Sequence, residues 1–309
     1  MIHVTDLAYV RFRAPDLDRM ESFLLDFGMV RAARTDAALY MRGADSHHHL
    51  HVTERGEAAF VGVGLEAGSA ADLDAISKVA GASPVEPTGE PGGGRRVRLT
   101  DPNGIRVDVV HGMQRVDTLP MPAREPLNTE TRRERLGLRQ QVARGPAHVK
   151  RLGHFVLLVK DFRETEAFYR THFGFRNSDE MYVAKRDTVI AAFMRLDRGA
   201  EYVDHHAFLA VGAGRVELNH VSFEVQDLDD LMTGHEHLRA AGHPHHWGVG
   251  RHVLGSQIYD YWRDPFGNVV EHWTDGDLLN AATPTGAVDI TAGGEISHWG
   301  PPSPSPFGA

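Results

Sequence analysis

Two histidines and a glutamate in the second half of the chain have the types and positions expected of metal ligands. His154 lies in the predicted strand LGHFVLLV, His220 in LNHVSFEV, and Glu271 in the strand that follows the sequence DPFG at 264–267. Two imidazoles and one carboxylate on one sheet face bind a divalent metal and leave about three coordination positions open. Burying an unpaired carboxylate is costly, so Glu271 needs such a partner. The sequence therefore predicts a metal site with room for further ligands.

The stretch GRHVLGSQIYDYWRDPFGNVVEHWTD, residues 250–275, must position Glu271. Pro265 and Gly267 favour a tight turn, which predicts a hairpin between the strands on either side. Side chains alternate along a strand, so Tyr259 and Tyr261 share one face of the first strand, and Glu271 projects from one face of the second. The hairpin therefore brings tyrosines close to the predicted ligand.

The chain repeats a strand and helix pattern after about 145 residues, which predicts a tandem duplication. LAYVRFRA followed by a helix that Asp16 caps matches LGHFVLLV followed by a helix that Asp161 caps, and both helices end at a Phe-Gly pair. DPNG at 101–104 matches DPFG at 264–267. We predict an α+β fold of duplicated βαβββ modules that form two incomplete barrels of mixed sheet, with the active site in the second.

The duplication serves as an internal control for the predicted ligands. Aligning the halves by their helix starts and turns places Tyr9 opposite His154, Gly62 opposite His220 and Asp108 opposite Glu271. The first half therefore lacks the ligand set. If His154 and His220 served only for packing, we would not expect this difference between the two halves.

We predict four segments in the chain. Residues 1–113 form a non-catalytic module, 114–150 a charged and proline-containing linker, 151–279 the catalytic metal-binding module, and 280–309 an irregular tail rich in Gly, Pro, Ser and Thr. Trp299 and Phe307 are candidates for docking the tail on the body.

Composition excludes several classes of protein. The 309 residues contain no cysteine, which excludes disulfides, thiolate metal sites and cysteine nucleophiles. The net charge is -9 and the sequence contains no basic stripe, so we expect neither a nucleic-acid nor a membrane partner. No apolar stretch approaches a membrane span, and the first residues do not resemble a signal peptide. We expect a cytoplasmic protein with a small-molecule ligand.

Further residues around the predicted ligands carry a family resemblance. His206 stands fourteen residues before His220, and His252 and Tyr261 are nine residues apart, with Glu271 ten residues later. With the three predicted ligands, this spacing resembles the catalytic half of type I extradiol ring-cleaving dioxygenases of the vicinal oxygen chelate (glyoxalase/bleomycin resistance/dioxygenase) superfamily. The resemblance covers most of the chain as two modules and is most specific from His154 to Asp275.

This resemblance implies a catechol dioxygenase that incorporates both atoms of O2 and forms a muconic semialdehyde-type product, in aromatic catabolism. His154, His220 and Glu271 would bind Fe(II), with Mn(II) as the alternative. It also implies His206 as the acid–base catalyst, Tyr261 as a hydrogen-bond donor to the substrate oxygen, and His252 as an orienting residue. Homo-oligomers are common in the family, and no organic cofactor is expected.

Two other functions remain open on the same fold. One is a glyoxalase-like isomerase or epimerase that uses a metal but no O2, and the other is a metal-free small-molecule-binding module. Among the 20 histidines, we interpret those at 47–51 as edge or loop residues, those at 235–246 as surface residues, and His205 as facing away from the site. An apolar pocket wall favours alkyl- or aryl-substituted catechols, and its predicted members are Val156, Phe193, Phe208, Trp247 and Val249.

Overall fold

The computed structural model of the chain describes residues 1–292 and 295–304. The first half forms an eight-stranded mixed sheet and two helices, α1 (Leu17–Asp26) and α2 (Ala70–Ile76). Its strands are β1 (Val4–Ala14), β2 (Val30–Arg34), β3 (Ala38–Arg42), β4 (His51–Arg55), β5 (Ala59–Ala67), β6 (Glu86–Pro87), β7 (Arg95–Thr100) and β8 (Arg106–His111).

The second half forms a ten-stranded mixed sheet with α3 (Phe162–Phe173) and α4 (Leu228–Ala240). A separate pair of very short strands, β12 (Val203–Asp204) and β18 (Leu278–Leu279), lies beside it. The strands of the large sheet are β9 (Arg151–Val159), β10 (Arg176–Tyr182), β11 (Val189–Arg195), β13 (Phe208–Gly212), β14 (Glu217–Glu224), β15 (His245–His252), β16 (Ile258–Arg263), β17 (Val269–Thr274), β19 (Gly286–Asp289) and β20 (Ser297–Trp299).

The two sheets have the same topology, which is the expected result of a tandem duplication. The first sheet has the order β2-β3-β4-β1-β5-β8-β7-β6, and the second has β10-β11-β13-β9-β14-β17-β16-β15, with β19 and β20 added at its two edges. In both sheets the central strands pair in parallel at equivalent places, β1 with β4 and β9 with β13. Each half is therefore two βαβββ units, as the sequence predicts.

Equivalent capping residues begin and end the first helix of each half. The Asp16 carboxylate accepts hydrogen bonds from the backbone N–H groups of Asp18 and Arg19, and Asp161 accepts one from Glu164. These bonds satisfy N–H groups that have no partner within the helix. At the other end of α3, Gly174 has a φ of 72° and adopts the left-handed conformation that ends a helix most easily.

One continuous hydrophobic core contains residues of both halves. The His51 ring of β4 stacks on Phe12 at 5.0 Å and lies 6.4 Å from Phe223 of the second half. The His272 ring of β17 stacks on Phe27 at 3.7 Å, and its Nε2 donates a hydrogen bond of 2.7 Å to the Phe27 carbonyl oxygen. The modules are therefore packed through buried side chains rather than only joined by residues 114–150.

The tail differs from the sequence prediction, which expected it to be irregular. Residues 286–289 form β19, which pairs in parallel with β10, and Trp299 of β20 pairs with Arg251 of β15. These short strands lack an alternating apolar pattern, so the sequence gives no signal for them. They form because the edges of the sheet offer unpaired backbone groups as hydrogen-bond partners. Phe307 lies outside the described residues. Across the part of the chain that the structure describes, no helix is long and apolar enough to span a membrane.

Candidate active site

His154 and His220 lie on adjacent strands, β9 and β14, and Glu271 lies on β17 beside them. The Nε2 atoms of the two histidines are 3.2 Å apart. The Glu271 Oε2 atom is 3.1 Å from Nε2 of His154 and 3.5 Å from Nε2 of His220. The structure thus brings the three predicted ligands together at one point, with one donor atom each within reach of a shared cation.

The polar atoms of this cluster fit a bound divalent metal. Glu271 is 0% exposed, and within the described chain neither of its carboxylate oxygens accepts a hydrogen bond. Burial lowers the pKa of His154 and of His220 to about 3, so both rings are neutral at neutral pH, the form that binds metals. A buried carboxylate without a donor is costly, and a cation would offset that cost.

Asn219 fixes the orientation of His220. Strand alternation alone would send the two side chains to opposite faces, but the register of β14 against β9 shifts between Leu218 and His220. This bulge allows Asn219 Oδ1 to accept a hydrogen bond of 2.6 Å from His220 Nδ1. The proton on Nδ1 leaves the Nε2 lone pair directed at the metal position.

The three predicted catalytic residues lie beside the same cluster. The His206 ring centroid is 4.1 Å from that of His154, and the Tyr261 ring is 5.0 Å from that of His220. The Tyr261 hydroxyl is 2.9 Å from Nε2 of His252. Burial lowers the pKa of His252 to about 4 and lowers that of His206 well below its usual range, so both rings are neutral at neutral pH.

Tyr261 is held protonated in this environment. Burial and the negative charge of Glu271 raise the pKa of the Tyr261 phenol well above its usual range. The hydroxyl can therefore donate a hydrogen bond to the neutral His252 ring or to an oxygen atom in the cavity.

His205 connects His206 to Asp179 of β10. The Asp179 Oδ2 atom is 2.6 Å from His205 Nε2, and the Nδ1 atoms of His205 and His206 are 3.1 Å apart. If Asp179 accepts the Nε2 proton of His205 and His205 Nδ1 carries no proton, that Nδ1 lone pair accepts the Nδ1 proton of His206. His206 then carries no proton on Nε2, which makes that atom a base. Residues 205 and 206 precede β13, so the strand alternation expected for them does not apply.

A cavity of about 650 Å³ opens beside the cluster. His206, His252 and Tyr261 line it together with the two histidine ligands, whereas His205 does not. Val156 and Phe193 belong to its wall, as predicted. Its other apolar residues are Met181, Leu209, Val211, Val253, Leu254, Val288, Ile290 and Ile296.

Three predicted wall residues lie elsewhere. Phe208 is on the opposite face of β13 from Leu209 and stacks on Phe155 at 4.4 Å in the main core. Trp247 covers the back of Tyr261, with ring centroids 5.2 Å apart, and Val249 packs against the main core. The sequence prediction placed Phe208 in the cavity wall, where the structure has Leu209. Both side chains are apolar, so their types alone do not show which of them faces the cavity.

The equivalent positions in the first module contain a different cluster. The Tyr9 hydroxyl donates a hydrogen bond of 2.9 Å to Asp108, and Arg106 pairs with the same carboxylate. A Cβ atom at Gly62 would lie 2.0 Å from the Arg106 carbonyl oxygen, so no histidine fits there. The sequence alignment of the two halves predicted these positions correctly.

Sequence reasoning missed Asn219 and Asp179. Asn219 precedes a predicted ligand, but its role depends on a bulge that the strand pattern does not reveal. Asp179 is distant in the chain from His205, and only the pairing of β10 in the sheet brings them together.

The chain resembles known proteins over nearly its whole length. Residues 151–272 match the family model of the Glyoxalase/Bleomycin resistance protein/Dioxygenase superfamily. Metapyrocatechase 2 of Cupriavidus necator is 30% identical over 308 residues, covering 98% of this chain and 91% of that protein.

Two solved structures share the fold. Homoprotocatechuate 2,3-dioxygenase from Brevibacterium fuscum superposes with a TM-score of 0.81 at 20% identity, over 99% of this chain and 92% of the other. The Mn(II)-bound glyoxalase from Novosphingobium aromaticivorans superposes with a TM-score of 0.79 at 22% identity, over 99% and 94%. With its duplicated βαβββ modules, the chain therefore belongs to the Glyoxalase/Bleomycin resistance protein/Dioxygenase superfamily and is related to its extradiol dioxygenases.

Proposed function

We propose that the protein is an extradiol dioxygenase that cleaves a catechol ring beside its two hydroxyl groups. Both atoms of one O2 molecule would enter the product, a muconic semialdehyde-type compound. The observation that carries the proposal is the arrangement of His206, His252 and Tyr261 around the same cavity as the His154, His220 and Glu271 cluster. An isomerase needs the metal cluster but has no evident need for all three of these additional residues.

His154, His220 and Glu271 would hold Fe(II), or alternatively Mn(II). The ion would supply the electron transfer between the catechol ring and O2, which side chains cannot provide. The neutral imidazoles and the carboxylate give a site with a single negative charge, suited to a divalent cation. Asn219 would keep His220 in the binding tautomer.

His206 would act as the base that removes a proton from a catechol hydroxyl. Its Nε2 would be free to accept the proton if Nδ1 donates to His205 and His205 donates to Asp179, an arrangement that the contacts of 3.1 and 2.6 Å allow. The same ring would return the proton when the O–O bond breaks. His206 lines the cavity directly, whereas His205 and Asp179 position it from behind.

Tyr261 and His252 would orient the substrate from another wall. The Tyr261 hydroxyl is protonated and 2.9 Å from His252 Nε2, so it can turn toward a deprotonated catechol oxygen. His252 would remain neutral and accept or donate a hydrogen bond as the ring opens. Burial of both groups strengthens these interactions, because little water competes with them.

The cavity wall favours uncharged catechols with alkyl or aryl substituents. Apolar side chains form most of it, and no Lys or Arg lines it among the residues that the structure describes. Asp289 and Glu295 at the cavity would repel a substrate carboxylate. We therefore propose that a carboxylated catechol is a poor substrate, and a strong preference for one in kcat/KM would contradict this.

The test is O2 uptake by protein loaded anaerobically with Fe(II), after addition of a panel of catechols. The expected result is one O2 consumed per catechol with a yellow ring-cleavage product. Bound metal without O2 uptake would favour the glyoxalase-like isomerase, a function that the similarity to the Novosphingobium aromaticivorans glyoxalase also suggests. Failure to bind metal would favour a small-molecule-binding module.

A further inference from the structure

A second cluster of two histidines and a carboxylate lies on the other face of the hairpin that carries Tyr261. Asp260 of β16 is 0% exposed and lies beneath α4. Its Oδ1 atom is 2.8 Å from His245 Nε2 and 3.2 Å from His235 Nδ1. These ligand atoms all lie within 4.8 Å of one another, and the group does not contribute to the catechol cavity. The sequence-based interpretation of His235 and His245 as surface residues is therefore incomplete.

The carboxylate of this cluster is held in a fixed orientation. Trp262 Nε1 donates a hydrogen bond of 2.6 Å to Asp260 Oδ2, which also lies 3.1 Å from His235 Nδ1, while Oδ1 contacts both imidazoles. The Trp262 ring also contacts both histidine rings edge-on, at 5.3 Å from His235 and 4.7 Å from His245. An indole that orients a ligand in this way is the kind of outer contact that tunes metal sites.

The cluster resembles the first one in composition and spacing. Its nitrogen-to-oxygen distances of 2.8 to 3.2 Å compare with 3.1 and 3.5 Å between the histidines and Glu271. Bonds of about 2.0–2.2 Å to one ion place tetrahedral ligands roughly 3.3 Å apart, so only small side-chain movements are needed. The three residues come from α4, β15 and β16, so the fold rather than local sequence assembles them.

The second cluster differs from the first in its access to solvent. The side chain of His245 is 29% exposed and that of His235 is 13% exposed, whereas Glu271 is fully buried. Water can therefore reach the open coordination position. Two imidazoles, one carboxylate and one water form a ligand set that suits Zn²⁺.

We propose that His235, His245 and Asp260 form a second metal site, which binds Zn²⁺ or a similar divalent cation such as Co²⁺. Bound there, the cation would link α4 to the paired strands β15 and β16, which carry His252 and Tyr261. Because the cluster does not line the catechol cavity, the cation acts on stability and not on the substrate.

The test is calorimetric titration of Zn²⁺ into the full-length, untagged Glu271→Ala variant, in which the first site lacks its carboxylate. We expect one equivalent of binding with a rise in melting temperature. Adding His245→Ala should weaken the affinity at least tenfold and abolish the thermal shift. The matched control is His237→Ala, because His237 also lies on α4 but pairs with Asp26.

Three further measurements complete the test. Asp260→Asn preserves side-chain shape and should also remove binding, and far-UV circular dichroism checks that each variant is folded. Co²⁺ in place of Zn²⁺ should give a visible spectrum of a four-coordinate ion that disappears with His245→Ala. The proposal is overturned if Glu271→Ala binds no Zn²⁺, or if binding is unchanged by His245→Ala. Neither result bears on catechol cleavage at the first site.

Discussion

At the level of single residues, we propose separate groups around the cavity for metal binding and for proton transfer. Glu271 has no hydrogen-bond donor in the described structure and contacts both histidine ligands, whereas His206 contacts the cluster through the His154 ring, with ring centroids 4.1 Å apart. Loss of a metal ligand should therefore remove the bound metal as well as activity, whereas loss of His206 should lower activity and leave the metal bound.

We expect Glu271→Ala to lose bound iron and ring cleavage together. His206→Phe should keep the iron, and kcat should fall about 10²- to 10⁴-fold, the usual contribution of a positioned acid or base. Metal analysis and O2 uptake on both variants check this. Full ring cleavage by His206→Phe would show that His206 is not the base.

His205 does not line the cavity, so it would act only through its contact with His206. His205→Phe removes the acceptor for the Nδ1 proton of His206, so the tautomer of His206 is no longer fixed. We expect kcat to fall about 10- to 100-fold with KM and iron content nearly unchanged, as for other outer contacts. His205→Gln, which keeps an acceptor, should restore part of the rate. Equal losses in both variants would indicate a packing role only.

At the level of secondary structure, the tail strand β19 completes the cavity wall. Val288 faces the cavity, while its neighbour Ala287 is exposed on the other side of the strand. Because Val288 lines the cavity, a charge introduced there would lie close to a molecule bound in it.

We therefore expect Val288→Arg to shift substrate preference toward carboxylated catechols. A new cation in the wall should raise kcat/KM for 3,4-dihydroxyphenylacetate relative to 4-methylcatechol by roughly tenfold, the equivalent of about 1.4 kcal/mol. Ala287→Arg adds the same charge on the outer side and should leave the ratio unchanged. The same shift in both variants would mean that long-range charge, and not the wall, decides preference.

Sequence reasoning predicted the parts of the site that regular strands control. His154, His220 and Glu271 follow from alternation on equivalent strands, and the Asp264 turn gave the register that places Tyr261 opposite Glu271. The bulge at Asn219 and the strand at 286–289 were not predictable, because each depends on pairing with a distant segment.

At the level of the whole molecule, the shared core ties stability to pH. His51 is 1% exposed and lies between Phe12 and Phe223, from different modules. Burial lowers its pKa to about 3 from an ordinary value of 6.5. The unfolded chain therefore takes up a proton at a higher pH than the folded chain does, and folding loses stability as the pH falls below 6.5.

We expect His51→Leu to weaken this dependence. The wild-type chain should lose up to about 1.4 kcal/mol per pH unit from this one residue between pH 6.5 and pH 4, and the variant should not. Urea unfolding of metal-free protein across that range measures it, and both modules should unfold in one transition. A parallel pH dependence in the two proteins would show that His51 is protonated in the folded state.

The pairing of the tail with both edges of the second sheet has a consequence for biosynthesis. β19 and β20 follow the other described strands of the second sheet in the sequence, so they leave the ribosome after those strands. Until then, β10 and β15 present unpaired backbone groups to the surroundings, the feature that promotes aggregation of nascent chains. A chain that stalls before residue 286 would already contain all three predicted ligands but would expose two unpaired sheet edges and an open cavity, so chaperone demand should stay high until residues 286–299 have been synthesised.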